Sequence, residues 1–141
     1  MKKPLTLLTM FLLATSAAAQ IQVTDGYVRA LPPGVVNSSA YMTLSNPGET
    51  DLELVGASSS VAEKVSMHST MNHNGMMHMM LASGLTVPAH GELRLESGGN
   101  HLMLEALKET LVPGAEVELV LDFSDGMQMQ VLLPVRSVLD E

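Results

Sequence analysis

Residues 116–135 read EVELVLDFSDGMQMQVLLPV. Two alternating apolar runs flank Asp125-Gly126, a dipeptide suited to the positive backbone angles of a tight β-turn. The stretch therefore predicts a hairpin with strands at Glu116–Phe123 and Met127–Val135. Working outward, the same grammar repeats: short alternating runs are cut by turn residues at close spacing, which is the pattern of an all-β sandwich or barrel. Pro113-Gly114 precedes the hairpin. Upstream, His101–Leu104, Glu92–Leu95 and Leu85–Val87 are strands separated by Gly98-Gly99, Gly91 and Pro88. A short helix over Glu105–Leu111 is conceivable, but His101–Ala106 fits a strand better. Met76–Leu81, Ala62–His68, Leu52–Ala57 and Ser39–Leu44 follow the pattern, with turns expected at Asn72–Gly75 and Asn46-Pro47-Gly48. Pro32-Pro33-Gly34 is a loop. Ile21–Ala30 reads as a strand pair, or one bent strand, around Asp25-Gly26.

The N-terminus is a targeting segment: Lys2 and Lys3, an apolar run from Leu5 to Leu13, and the small residues Ala17-Ala18-Ala19. The run falls short of the roughly 20 residues a membrane span needs. We expect a signal peptide over 1–19, cleaved after Ala19, and one domain over 20–141, with no stable membrane insertion after cleavage. The chain has no cysteine. That excludes a lipid-modified N-terminal cysteine, a disulfide framework and a cysteine nucleophile. Loss of Lys2 and Lys3 would take the formal charge from −8 to −10. The basic residues left are scattered, so nucleic-acid binding is not expected. No serine–histidine–acid motif is present, and we expect no enzymatic activity. Aromatic residues are few, so the core must rest on Leu, Val and some Met, Met42 among them. Met127 and Met129 share one strand face and are expected in the core as adaptable filler.

The chemistry is concentrated between Met67 and Met80, MHSTMNHNGMMHMM. It holds six of the twelve methionines and three of the five histidines. Thioether sulfur with imidazole nitrogen is a soft donor set that suits Cu(I). Zinc would normally recruit Cys, His or carboxylate, and a blue-copper site needs a thiolate. His101 and Met103, two apart on a strand, point to one face and make a preorganised half-site. Gly98-Gly99 allows a close backbone approach just before them. His68 and Met79 flank the Asn72–Gly75 turn on opposite arms of a hairpin and are well placed to supply a second pair.

His68, ten residues, Met79, twenty-one residues, His101, one residue, Met103: this spacing resembles the H-x10-M-x21-H-x-M signature of the periplasmic copper chaperones of the PCu(A)C family. VTDGYVRALPPG with Arg29, SAYMTLSN and GGNHLMLEALKETLVPG are also similar to that family, so the resemblance covers nearly all of Ile21–Val135. It implies a cupredoxin-like Greek-key β-sandwich. It also implies one Cu(I) ion bound by His68, Met79, His101 and Met103, and delivery towards the copper A centre of cytochrome c oxidase. A copper-accepting partner such as a Sco-like thiol protein or an oxidase copper subunit follows from it. Envelope copper buffering is the alternative, and a metal-free interaction module a more distant one. The chain stops without the His/Met-rich tail of some relatives, but its hairpin carries extra donors. Met67 and Met80, each beside a proposed ligand, are expected to face away from it and pack. Met71, His73, Met76, Met77 and His78 lie at or beside the turn and form either a secondary copper site or a polar tip with incidental methionines. His90 is expected to be an exposed loop residue.

Overall fold

The computed structural model describes residues 21–140, without the side chains of residues 71–73 and 140. The signal-peptide expectation lies outside the described residues. Ten strands follow in chain order: β1 Gln22–Arg29, β2 Ser38–Asn46, β3 Leu52–Ser58, β4 Ala62–His73, β5 Met76–Leu81, β6 Leu85–Val87, β7 Gly91–Leu95, β8 His101–Leu107, β9 Glu116–Phe123 and β10 Gln128–Arg136. A 3-10 turn at Val138–Asp140 ends the described chain. Among the described residues no helix is long and apolar enough to cross a membrane. The strand reading of His101–Ala106 is borne out, since β8 runs on to Leu107 where a helix was the alternative.

The strands pair in the order β5-β4-β8-β2-β1-β10-β9-β3-β6, with β7 on β2, and a β3–β4 contact closes the path. Two junctions are thin: parallel β1–β10 has two residue pairs, and β3–β4 has one. They divide the path into two layers of a cupredoxin-like Greek-key sandwich, β1, β2, β4, β5, β7 and β8 against β3, β6, β9 and β10. The core between them is built by alternation. Ala40, Met42 and Leu44 from β2, Leu102 and Leu104 from β8, Leu119 and Leu121 from β9, and Leu133 and Val135 from β10 are all nearly inaccessible.

The Asp25-Gly26 question resolves as one bent strand. The β1–β2 register shifts between Thr24 and Tyr27, and Asp25 has φ 54°, as expected of a bulge. The extra residue resets the alternation, so Val28 points into the core while Tyr27 faces out. A Cβ on Gly26 would stand 2.4 Å from Leu133 Cδ2 and 3.5 Å from Met42 Cβ, which is why this position has no side chain.

The Met-rich hairpin is longer than expected. β4 continues to His73, and the turn is the two residues Asn74-Gly75, with φ 53° and 79°. Both positive angles match a type I′ turn, which joins twisted antiparallel strands without splaying them. Past Met67 the arm extends beyond the opposing layer. That geometry corrects one packing expectation: Met67 is 6% exposed, but Met80 is 50% exposed. Met127 is a second correction. It lies in the turn before β10, its carbonyl accepting the Phe123 N–H, and is 46% exposed, whereas Met129 packs against the core. His90 is exposed, as expected.

The two methionines beside the proposed ligands should therefore differ sharply on truncation. Met67→Ala should cost about 2–5 kcal/mol, as buried Met→Ala changes do. Met80→Ala should fall within about 0.5 kcal/mol of the parent. Urea unfolding of both variants checks this.

Candidate metal centre

Register decides which side chains meet. β4 and β8 pair Ser66 with Met103 and His68 with His101, and β4 and β5 pair Thr70 with Met79 and His68 with Leu81. Directly opposed residues share a face. His68, His101, Met103 and Met79 therefore lie on one face of three adjacent strands, the face turned away from Met67, Leu102 and Leu104. The His68 and His101 rings stack with centroids 5.4 Å apart and planes 8° from parallel. His101 is buried, Met103 is half-buried and Met79 is 57% exposed. A cleft of about 350 Å³ is bounded by Met77, Met79, His101, Met103, Tyr41 and Arg29, with the Ser97-Gly98 turn at its rim. Three of the four sequence-derived donors line it. The fourth, His68, lies against the His101 ring.

Each imidazole is held by a partner that fixes its hydrogen. His101 Nδ1 is 3.0 Å from the Gly99 carbonyl oxygen. A carbonyl only accepts, so Nδ1 carries the hydrogen and Nε2 keeps its lone pair. The same carbonyl accepts from Thr70 Oγ1 at 3.0 Å, tying the β4 arm to the Gly98-Gly99 turn. Gly98, at φ 79°, makes that turn possible. His68 Nε2 is 2.9 Å from Ser66 Oγ, and Ser66 Oγ donates to Glu105 Oε2 at 2.8 Å. With its hydrogen committed to the carboxylate, the hydroxyl accepts from His68 Nε2–H, leaving the lone pair on Nδ1. Metal-binding histidines are commonly oriented in this way, through the nitrogen that does not bind. The two rings thus offer different nitrogens. The glutamate is itself 3.9 Å from Lys64 Nζ.

A ring ladder continues across the sheet. Tyr41 lies 6.5 Å from His101 and 5.2 Å from Tyr27. The Arg29 guanidinium is 5.3 Å from the Tyr41 centroid, and that of Arg136 is 5.5 Å from Tyr27. Arg29 covers the Tyr41 ring on the outer face of β2, where Tyr41 is only 5% exposed, and it places a positive charge at the cleft wall; Arg136 covers Tyr27 on the neighbouring β1.

The extra donors divide by parity. Met77 shares the face of Met79 and borders the cleft, which corrects its grouping with the tip residues. Met76, His78 and Met80 lie on the other face of β5. Backbone register sets Met71 opposite His78 and His73 opposite Met76. Sequence reading missed Ser66 and Glu105, although both were within its reach: they extend the two-residue alternation, one before His68 and the other after Met103.

The His68 pKa is lowered, first by burial and then by neighbouring His101 and Lys64, with Glu105 pulling the other way. The unfolded chain therefore binds this proton more readily than the folded one. The His68 contribution to stability is present above the free-imidazole value of about 6.5 and is lost as pH falls through the folded pKa. In a metal-free NMR titration, His68 should have its midpoint below about 6.5. Glu105→Gln, which removes the raising carboxylate, should move it lower still; an upward move would contradict the assigned hydrogen-bond chain.

The LpqE-like family model ("Putative lipoprotein LpqE-like") matches residues 21–135. "Putative lipoprotein Lxx21020" of Leifsonia xyli subsp. xyli is 37% identical over 117 residues, spanning 82% of this chain and 69% of that protein. Both names speak of lipoproteins, whereas this chain has no cysteine. The solution structure of Cu(I)-DR1885 from Deinococcus radiodurans is 37% identical, covers 86% of this chain and 83% of its own, and has a TM-score of 0.67. The copper-bound PCuAC domain from PmoF2, at 19% identity, covers 85% of this chain and 96% of its own with a TM-score of 0.72, a likeness of fold.

Proposed function

We propose that this chain, which belongs to the LpqE-like family, is an exported, periplasmic Cu(I) metallochaperone. In this reading it binds one ion through His68, Met79, His101 and Met103 and passes it to an acceptor. The observation that carries the reading is the register that sets these donors on one face. The Deinococcus relative, named for its Cu(I) form at 37% identity, supports it.

The donor chemistry favours the reduced ion. Two neutral imidazoles and two thioethers bring no negative charge, so the centre keeps the +1 of Cu(I). Cu(II) prefers tetragonal nitrogen and oxygen donors. The Arg29 guanidinium at the cleft wall adds a positive charge and penalises a divalent ion more than a monovalent one. His101 and His68 act as anchors, held by Gly99 and by Ser66 with Glu105.

Exposure orders the transfer. Met79 is 57% exposed and sits on the outermost strand, so an incoming thiolate or thioether reaches it first. Met103 exchanges next, and the buried His101 last. Thioethers leave without gaining a proton, so each exchange is electrically simple. A Sco-like thiol protein, or the oxidase subunit that carries the copper A centre, fits as acceptor. The role requires no bond chemistry in a substrate, and the protein is not an enzyme in this account. Copper buffering in the envelope is the second reading, favoured by the surplus of hairpin donors.

An anaerobic titration against a chromophoric Cu(I) chelator tests the site. Met79→Ala and His101→Ala should each weaken the tightest binding step by about tenfold or more, the scale on which site perturbations act. Affinity should also fall between about pH 7.5 and 5, as the imidazoles protonate. Binding indifferent to both substitutions and to pH would remove these residues from the site. Deletion of the gene separates the two roles. Loss of oxidase activity at limiting copper indicates delivery; sensitivity to excess copper with normal oxidase indicates buffering.

A further inference from the structure

β5 contains a donor set that the cleft does not use. Met76, His78 and Met80 alternate along the strand, so all three lie on the face opposite Met77 and Met79. This face would ordinarily turn to the core, but the hairpin arm has passed beyond it. Met76 is 64% exposed and Met80 50% exposed, and His78 is exposed as well. None of the three is in the core cluster. Large apolar side chains in such positions contribute little to the core, and three uncharged soft donors in alternation are more than a solvated tip requires.

The spacing repeats that of the cleft. His78-x-Met80 has the same two-residue step as His101-x-Met103, and Met76-x-His78 adds a thioether on the other side of the ring. The long, unbranched methionine side chain, with its three rotatable bonds, lets both sulfurs swing towards the imidazole between them. Across the hairpin, register positions carry further residues of the same two types, Met71 opposite His78 and His73 opposite Met76. The β5 sequence MMHMML contains no charged residue, so a monovalent cation meets neither carboxylate nor ammonium on this strand.

We infer that the back face of the hairpin, through Met76, His78 and Met80, is a second Cu(I) site, distinct from the cleft and more open to solvent. One strand thus presents soft donors on both sides: Met77 and Met79 to the cleft, Met76, His78 and Met80 to the back. With fewer shielded donors, the back site binds more weakly and exchanges faster than the cleft. The inference rests on the exposure and parity of β5, not on the cleft's being occupied.

The test is an anaerobic Cu(I) titration of the purified protein with methionine methyl groups labelled with carbon-13, followed by NMR. The Met79 and Met103 methyls should shift with the first equivalent, and those of Met76 and Met80 with the second, together with the His78 ring. His78→Ala should abolish the second set and leave the first; His101→Ala should do the reverse. All these back-face side chains are exposed, so the variants fold, and Met76→Ala with Met80→Ala provides an independent check. Met76 and Met80 signals that stay fixed through two equivalents would overturn the inference. So would their moving with Met79 in the first equivalent and being lost in His101→Ala. Shifts at Met76 and Met80 without any at Met79 or Met103 would instead refute the cleft and leave the back site standing.

Discussion

The site depends on the register between β4 and β8. Pairing His68 with His101 and Ser66 with Met103 sends Met67, Leu102 and Leu104 into the core and leaves the donors on the opposite face. A slip of one residue would exchange the faces. Slipping β4 would bury His68 and expose Met67, and slipping β8 would bury His101 and Met103 among apolar side chains and expose Leu102 and Leu104. The core thus enforces the register, and the register assembles the donors. Stability and site geometry share one cause.

The surroundings refine what the register sets. The Gly99 carbonyl holds one histidine, and the Ser66–Glu105 pair holds the other. A metal-binding imidazole must keep one lone pair free and in place, and a hydrogen bond on its other nitrogen does both. The aromatic ladder from His101 through Tyr41 to Tyr27, covered by Arg29 and Arg136, makes one wall stiff. The β5 wall is the open one: its methionines are exposed, and among the described residues its outer edge has no neighbouring strand. A histidine side held by hydrogen bonds and an open thioether side suit the proposed transfer role, in which an ion must leave the centre.

Much of the fold was legible in the sequence because two-residue alternation and turn chemistry are local. Asp125-Gly126 and Asn46-Pro47-Gly48 mark turns without reference to the rest of the chain, and β5, β6 and β9 have the expected bounds. What was not legible depends on where one layer stops over the other. Met80 and Met127 alternate like core residues, yet the hairpin overhangs the opposing layer and the turn ends before β10. The bulge at Asp25-Gly26 shifts parity partway along β1, which alternation alone does not reveal. At the site, the four donors lie on one face as their spacing implies. Met77 is near the turn in sequence, but counting by two from Met79 places it at the cleft. Ser66 and Glu105 were within reach of the same count.

The central claim is that a monovalent copper ion sits among imidazole nitrogen and thioether sulfur supplied by three adjacent strands. X-ray absorption at the copper edge, on protein loaded with one equivalent under reducing conditions, reads that shell directly. The account predicts a Cu(I) edge with nitrogen and sulfur both in the first shell, and a smaller sulfur contribution in Met103→Ala. A shell of nitrogen and oxygen alone, or one unchanged by that substitution, would contradict it.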